Sequence, residues 1–298
     1  MQALLKIKSF LKTHRYARIL LGIAVLLAVL CIALHPQGTK TFLVLGMDNY
    51  GSLDESSRSD VTMLVQVDFS KSKISAVTFA RDMFISSEND KMIKINTVLR
   101  NSRDEQGLCA LIEKNFGTPI DGWFRLNFTS LIELVDAIGG AEVELTKAEV
   151  NYLDKMGLDV FKDNPLQEGK SRLNGAQALA YARCRKLDND LGRGERQGKL
   201  LAGMVRQTRR MTAASVVNVF NSLKHAWRSS YSIAEQGKLL FQALWLRGAK
   251  VENFSVPFDG EWRYGNAGSV SGIIADLDAN RLLLLEALGR PVPKDAEQ

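Results

Sequence analysis

The chain has 298 residues, 46% hydrophobic and 24% charged, a balance that fits a packed globular protein and sets its class without indicating its function. The formal charge of +6 would suit a nucleic-acid binder. However, Lys6, Lys8, Lys12, Arg15 and Arg18 all precede residue 19 with no acid among them, leaving 34 basic against 33 acidic residues beyond residue 35. The body is nearly neutral, so overall charge gives no ground for DNA or RNA binding.

Residues 1–18 form this basic tail. From Ile19 to Leu34, sixteen residues (ILLGIAVLLAVLCIAL) carry no charge or strong polar group. That is just under the ~17 to 25 residues a bilayer-spanning helix usually needs, and no small-x-small cleavage site precedes Pro36. The segment 19–35 therefore reads as a transmembrane anchor and not as a cleaved leader. Five positive charges before the run, against Lys40 alone just after it, place the N-terminus in the cytoplasm and residues 36–298 outside the cell membrane. Cys109 and Cys184 are able to pair in that compartment, but two cysteines make no framework pattern.

No repeat, low-complexity tract or linker divides the rest, so 36–298 reads as one domain. Thr41 to Gly46 is a short apolar run of the buried-strand kind, which leaves Asp48 at a strand's C-terminal end. Val61 to Phe69 and Lys73 to Ala80 read as a hairpin joined by Ser70-Lys71-Ser72, with Arg81-Asp82 directly after it. Leu131, Leu134, Val135 and Ile138 have helical spacing between an Asn127 cap and a Gly139-Gly140 stop, and a strand AEVEL follows. Asn174 caps a helix from Gly175 to about Tyr181. Another runs from near Arg193 to about Met211, then come a strand VENFSVP and a closing helix from Asp276 to Leu288. Strands and helices mixed in one domain predict an α/β fold, a layered α/β/α sandwich with a mixed central sheet.

Charge concentrates in three places: Arg58-Ser59-Asp60 at a strand start, Arg81-Asp82 at a strand end, and Arg183 and Arg185 continuing to Asp190, Arg193, Arg196 and Gln197. Arginine is the residue that suits bidentate phosphate recognition, and Asp48, Asp60, Asp82 and Asp190 are acids able to hold Mg²⁺ beside bound phosphates. Spacing alone favours a plainer reading, of strand-end ion pairs and a solvated helix face. There is no GxxxxGK[ST] loop. His14, His35 and His225 are scattered, which argues against a zinc cluster or a Ser-His-Asp arrangement. The aromatic set Trp227, Trp245, Trp262 and Tyr264 reads as core or rim.

Taken in order, the blocks FLVLGMD ending at Asp48, RSDVTML from Arg58, FARD at Arg81-Asp82, KIN at Lys94 to Asn96, LVDAIGG ending at Gly140, LNGAQALAYARCRK from Leu173 and DLGRGERQ ending at Gln197 resemble the LytR-CpsA-Psr domain across nearly the whole of 36–298. One departure is Ala80, where the family often has proline before the Arg-Asp pair.

The resemblance implies a transferase that moves a phosphate-linked glycopolymer, of teichoic acid or capsule type, from a polyprenyl diphosphate carrier to a peptidoglycan hydroxyl, assisted by Mg²⁺ or Mn²⁺. By the same resemblance Asp48 and Asp60 are the metal-associated acids, and Arg58, Arg81, Arg183, Arg185, Arg193, Arg196 and Gln197 hold the diphosphate. Asp60, Arg81 and Asp82 are the catalytic candidates, with Asp60 and Asp82 both open as the base. The expected partners are the carrier-linked polymer, peptidoglycan and the membrane, without nucleic acid. The alternatives are a non-catalytic module that binds polyprenyl lipid or wall polymer and, against the predicted topology, a membrane-tethered transcriptional regulator.

Overall fold

Strand β1 (Thr39–Met47) alternates along its length: Thr41, Leu43, Leu45 and Met47 are buried toward one side, while the residues between them are only partly covered. A period of two with both sides apolar suits a strand in the middle of a sheet. β1 pairs antiparallel with β2 (Ser59–Asp68) and parallel with β6 (Gly122–Leu126). β2 turns through Ser72, at φ 49°, into antiparallel β3 (Lys73–Phe79). With β10 (Lys250–Val256) parallel to β3 and the two-residue β9 (Arg228–Ser229) against β6, the order is β10-β3-β2-β1-β6-β9 in one mixed sheet. Small antiparallel pairs form between β4 (Phe84–Ser86) and β5 (Met92–Lys94), β7 (Ala141–Leu145) and β8 (Gly169–Leu173), and β11 (Trp262–Ala267) and β12 (Val270–Ala275).

This computed structural model describes residues 36–53, 59–102, 104–156, 165–184, 187, 190–246 and 248–292. The basic tail 1–18, the anchor expected over 19–35, Arg58 and Arg185 lie outside these residues, and of Asp190 only the backbone is described. Among the described residues no helix is long and apolar enough to cross a membrane.

Helices cover both faces of the sheet. After the short α1 (Val98–Ser102), α2 (Glu105–Phe116) starts at Asp104, whose carboxylate accepts from the Gly107 N–H, and ends at Gly117 with φ 66°. Leu108, Ile112 and Phe116 of α2, with Leu284 and Leu288 at the C-terminal helix, pack on Leu43, Leu45, Leu64, Val77 and Phe79. On the other side lie α3 (Phe128–Ala137), α4 (Lys147–Lys155), α5 (Gly175–Ala182), α6 (Asp190–Thr208), α7 (Ala213–Leu223) and α8 (Ile233–Ala243). α9 (Leu277–Ala287) closes the chain on the α2 side. A second core joins Val135, Val143, Leu153, Leu173, Tyr181 and Leu200.

The predicted hairpin, the Asn127 and Asn174 caps, the strand AEVEL and the closing helix all form, the last with Asp276 as its N-cap. The helix expected to start near Arg193 starts at Asp190 and ends at Thr208. Its glycines disguise it. A Cβ on Gly203 would stand 2.5 Å from the Glu142 carbonyl oxygen, and one on Gly194 would stand 3.2 Å from Ser255 Oγ and Thr78 Cγ2. These glycines lower helix propensity yet let α6 lie directly on β3, β7 and β10.

Candidate active site

Asp60 owes its position to a miscount between two strands. Gly46 pairs with Val61 but Met47 pairs with Ser59, so Asp60 is an extra residue in β2, a bulge opposite the end of β1. Simple alternation would put Asp60 on the face of Thr62 and Leu64. The bulge instead brings Ser59 to that face, within 3.2 Å of Thr62 Oγ1, and turns Asp60 toward the other, where it lines a cavity. The carboxylate, 4% exposed, has Oδ1 at 3.1 Å from Arg81 Nη1 and Oδ2 at 3.3 Å from Arg193 Nη2, and Arg193 Nη2 also donates to the Asp60 carbonyl at 2.7 Å.

Arg81 follows the end of β3, where the Ala80 N–H donates to the Val256 carbonyl at 2.7 Å and the Met83 N–H closes a turn onto Ala80. The chain thereby turns away from the sheet and leaves Arg81 beside Asp60. Asp82 faces a different set: its Oδ1 accepts from Asn96 Nδ2 at 3.1 Å and stands 3.7 Å from Lys94 Nζ and 3.5 Å from Arg81 Nε. Its backbone is fixed too, because the Ile273 N–H on β12 donates to the Asp82 carbonyl. Lys94 and Asn96 are the functional neighbours that sequence reasoning passed over. The KIN block contained them, but nothing in it indicates that they meet an aspartate twelve or fourteen residues earlier.

On the opposite bank, Asn174 and Gln177 form a reciprocal capping box that starts α5, and Arg183 is its C-terminal cap. The Arg183 guanidinium lies 4.3 Å over the Phe128 ring and 3.7 Å from Asp48 Oδ1. Asp48 sits on a loop tied to the start of α3: the Phe128 N–H donates to the Asn49 carbonyl, and Asn127 Nδ2 donates to the Gly51 carbonyl. Arg196 and Gln197, both buried, donate to the carbonyls of Cys184 and Ala182 at 2.8 and 3.4 Å. They hold the segment that carries Arg183. The structure thus brings together Asp60, Arg81, Asp82 and Arg193 through direct contacts, pairs Asp48 with Arg183, and sets Arg196 and Gln197 behind them.

Beside these charges is a cavity of about 370 Å³ between β1, β2 and β6 and helices α3, α5 and α6, with walls including Val44, Met63, Phe128, Leu179 and Leu201. Asp60, Arg183, Arg193 and Gln197 line it as well. A second cavity of about 320 Å³ shares Phe124, Leu134 and Trp227 with the first and continues under α7 and α8. Trp227, which the sequence suggested as core or rim, is a wall of both, its Nε1 donating to Gln236 Oε1 at 2.9 Å.

Among the described residues no three His, Cys, Asp or Glu side chains stand together as a metal cluster. Asp48 is by its chemistry suited to a hard divalent ion of the kind that takes one or two carboxylates and completes its shell with substrate phosphate and water, whereas both Asp60 oxygens already face arginines, so that Asp60 would have to exchange an arginine contact to join it. The two aspartates end neighbouring strands, and the Asp48 carboxylate is 40% exposed. Cys109 and Cys184 are both buried and are not joined in a disulfide.

A family model, the LytR_cpsA_psr family, matches residues 23–276. The chain belongs to the LytR-CpsA-Psr family. This LytR-CpsA-Psr chain is similar to the polyisoprenyl-teichoic acid–peptidoglycan teichoic acid transferase TagU of Enterococcus faecalis, at 31% identity over 62% of this chain and 58% of the relative. It is also similar to the enzyme of the same description, TagV, of Bacillus subtilis strain 168, at 28% identity over 59% of this chain and 44% of TagV. It spans about half the length of these curated relatives. The structure of TagT bound to LIIa-WTA shares its fold, with a TM-score of 0.66 over 85% of this chain and 91% of TagT at 21% identity.

Proposed function

We propose that this LytR-CpsA-Psr chain is a transferase that moves a phosphate-linked glycopolymer, of teichoic acid or capsule type, from a polyprenyl diphosphate carrier to a peptidoglycan hydroxyl, forming a phosphodiester. The observation that carries this reading is the Asp60 carboxylate held between Arg81 and Arg193 in the wall of an apolar cavity, which combines a polar head site with room for a hydrocarbon chain. The names of TagU and TagV agree with it. The proposed location is the cell membrane: a single pass over 19–35, the N-terminus cytoplasmic and 36–298 outside, on the strength of the uncharged run and the five basic residues before it.

In this mechanism Arg81, Arg183 and Arg193, with Arg58 and Arg185, meet the diphosphate, while Arg196 and Gln197 keep the α5–α6 connection in place. Guanidinium groups aimed at both phosphates stabilise the charge that builds on the bridging oxygen as polyprenyl phosphate leaves. Mg²⁺ or Mn²⁺, held by Asp48 and Asp60, would supply further neutralisation of the phosphate oxygens. Asp60 is engaged on both oxygens by arginines, whereas the Asp82 side chain is 36% exposed. Asp82 is therefore the better base to take the proton of the acceptor hydroxyl. The hydroxyl oxygen bonds to the sugar-side phosphorus, the bond from that phosphorus to the bridging oxygen breaks, and polyprenyl phosphate carries the electron pair away.

The test is to incubate the purified chain with a polyprenyl diphosphate-linked sugar, with Mg²⁺ or with chelator, and follow polyprenyl phosphate by mass spectrometry. Metal-dependent release that disappears in Arg81→Ala is the expected result. Intact substrate throughout, despite binding by a folded protein, would replace the transferase with a carrier-binding module.

A further inference from the structure

Beyond residue 35 the chain is nearly neutral as a whole, but not locally. Residues 206–250 hold eight basic side chains and one acid, Glu235, while the remainder of 36–298 holds 26 basic and 32 acidic residues. The segment is opposite in sign to the rest of the body; within 213–245 it places Lys224, Arg228 and Lys238 against Glu235, mostly in the chain between the helices, while α7 itself carries no charged residue. About half of these basic side chains are engaged within the chain: Arg206 donates to the Glu142 carbonyl and Arg209 to the Ala249 carbonyl, Arg210 pairs with Glu142 at 3.1 Å and Lys250 with Glu252 at 2.7 Å. Arg228 and Lys238 are exposed and Lys224 is half-exposed.

The same segment exposes apolar side chains that packing does not need. The inner faces of α7 and α8 already supply Val216, Val219, Phe220, Leu239 and Leu240 to the second cavity. Yet Val217, Ile233, Phe241 and Trp245 are each more than 40% exposed, four of the ten large hydrophobics exposed among the described residues. A helix that needs only one apolar stripe to bury itself normally turns charge outward. Exposed Phe and Trp in one segment with exposed Lys and Arg make the combination that suits the headgroup level of a bilayer, the rings reaching the acyl boundary and the cations meeting anionic lipid.

We propose that α7, α8 and the segment joining them form a docking surface for an anionic bilayer, separate from the predicted anchor at 19–35. The occupant is lipid and not a soluble polyanion, because a polyanion would use the lysines and arginines but would leave Phe241 and Trp245 in water. The inference does not depend on the transferase reading. If both hold, docking brings the lobe roofing the second cavity to the layer in which a polyprenyl chain resides.

The test uses the full chain reconstituted into nanodiscs of phosphatidylcholine alone or with about a third phosphatidylglycerol, followed by hydrogen–deuterium exchange. Exchange over 213–245 is expected to slow at least about threefold in the anionic discs. Phe241→Ser with Trp245→Ser, and separately Lys224→Glu with Lys238→Glu, are expected to abolish that difference. Peptides from the 61–79 hairpin should stay protected in both variants, showing that they are folded. Equal exchange over 213–245 in the two discs would overturn the proposal. So would protection produced equally by soluble polyglycerol phosphate and unaffected by the Phe241→Ser, Trp245→Ser pair, which would make the lobe a polymer-binding face.

Discussion

Arg193 holds Asp60 at two points: Nη2 stands 3.3 Å from the carboxylate Oδ2 and donates to the carbonyl oxygen of the same residue at 2.7 Å. The contact joins the first turn of α6 to the bulge in β2. Both side chains are almost fully buried, so removing the carboxylate takes away a buried counter-charge that Arg193 and Arg81 share. Asp60→Ala is expected to cost about 3 kcal/mol in urea unfolding as well as abolishing transfer. Arg193→Lys should retain the charge but move the donor that reaches both the Asp60 carboxylate and its carbonyl, lowering transfer more than stability.

Asp82 is predicted to act on the proton and not on the fold. Asp82→Asn should lower polyprenyl phosphate release about a hundredfold. Its melting temperature should remain within a few degrees of the parent, since the side chain is partly exposed. Asn96→Ala removes one hydrogen bond to the same carboxylate and is expected to give a smaller loss, about tenfold, measured in the same release assay.

Gly203 allows α6 to touch the chain at Glu142, and a methyl group there would stand 2.5 Å from a backbone oxygen that has no flexible end to move. Gly203→Ala is therefore expected to destabilise by about 2 kcal/mol although alanine is the better helix former. Because α6 also carries Arg193, the substitution should reduce release despite its distance from Asp60. Thermal melting and the release assay, run on the same preparation, check both effects.

Cys109 should be silent to thiol reagents in the native protein. Burial, followed by the nearby Glu113, Asp104 and Glu105 carboxylates, pushes its thiol from the usual 9.0 up to about 12. Labelling with an aromatic disulfide at pH 8 is expected only after unfolding. The sign for stability follows from the raised value: the folded state keeps its proton while the unfolded thiol ionises. The contribution is therefore complete below about pH 9 and is lost as the pH rises toward 12. Cys109→Ala should flatten that alkaline loss in unfolding curves.

Much of the framework was legible because it is local. The Asn127 and Asn174 caps lie within three residues of the N–H groups they satisfy, and the β2–β3 hairpin is closed by a four-residue turn, 69–72. Asp48 and Arg81-Asp82 were legible as strand-end residues for the same reason. α2, α4, α7, α8, β6 and the β11–β12 hairpin were not read from the sequence. In α2, a glycine in the first turn, Gly107, blurs the pattern even though Asp104 caps it.

By itself, the sequence determined strands β1 to β3, the helices that start at Asn127 and Asn174, the order of the charged blocks, and hence the family. Only the tertiary structure decided which face Asp60 takes, because that depends on one unmatched residue between β1 and β2. It also decided that Arg193 is the partner of Asp60 across 133 positions, that Lys94 and Asn96 belong to Asp82, and that Trp227 stands between two cavities. The physical reason is that capping and alternation are satisfied within a few residues. Register and close helix-on-sheet approach are settled by contacts between segments that spacing in one dimension does not relate.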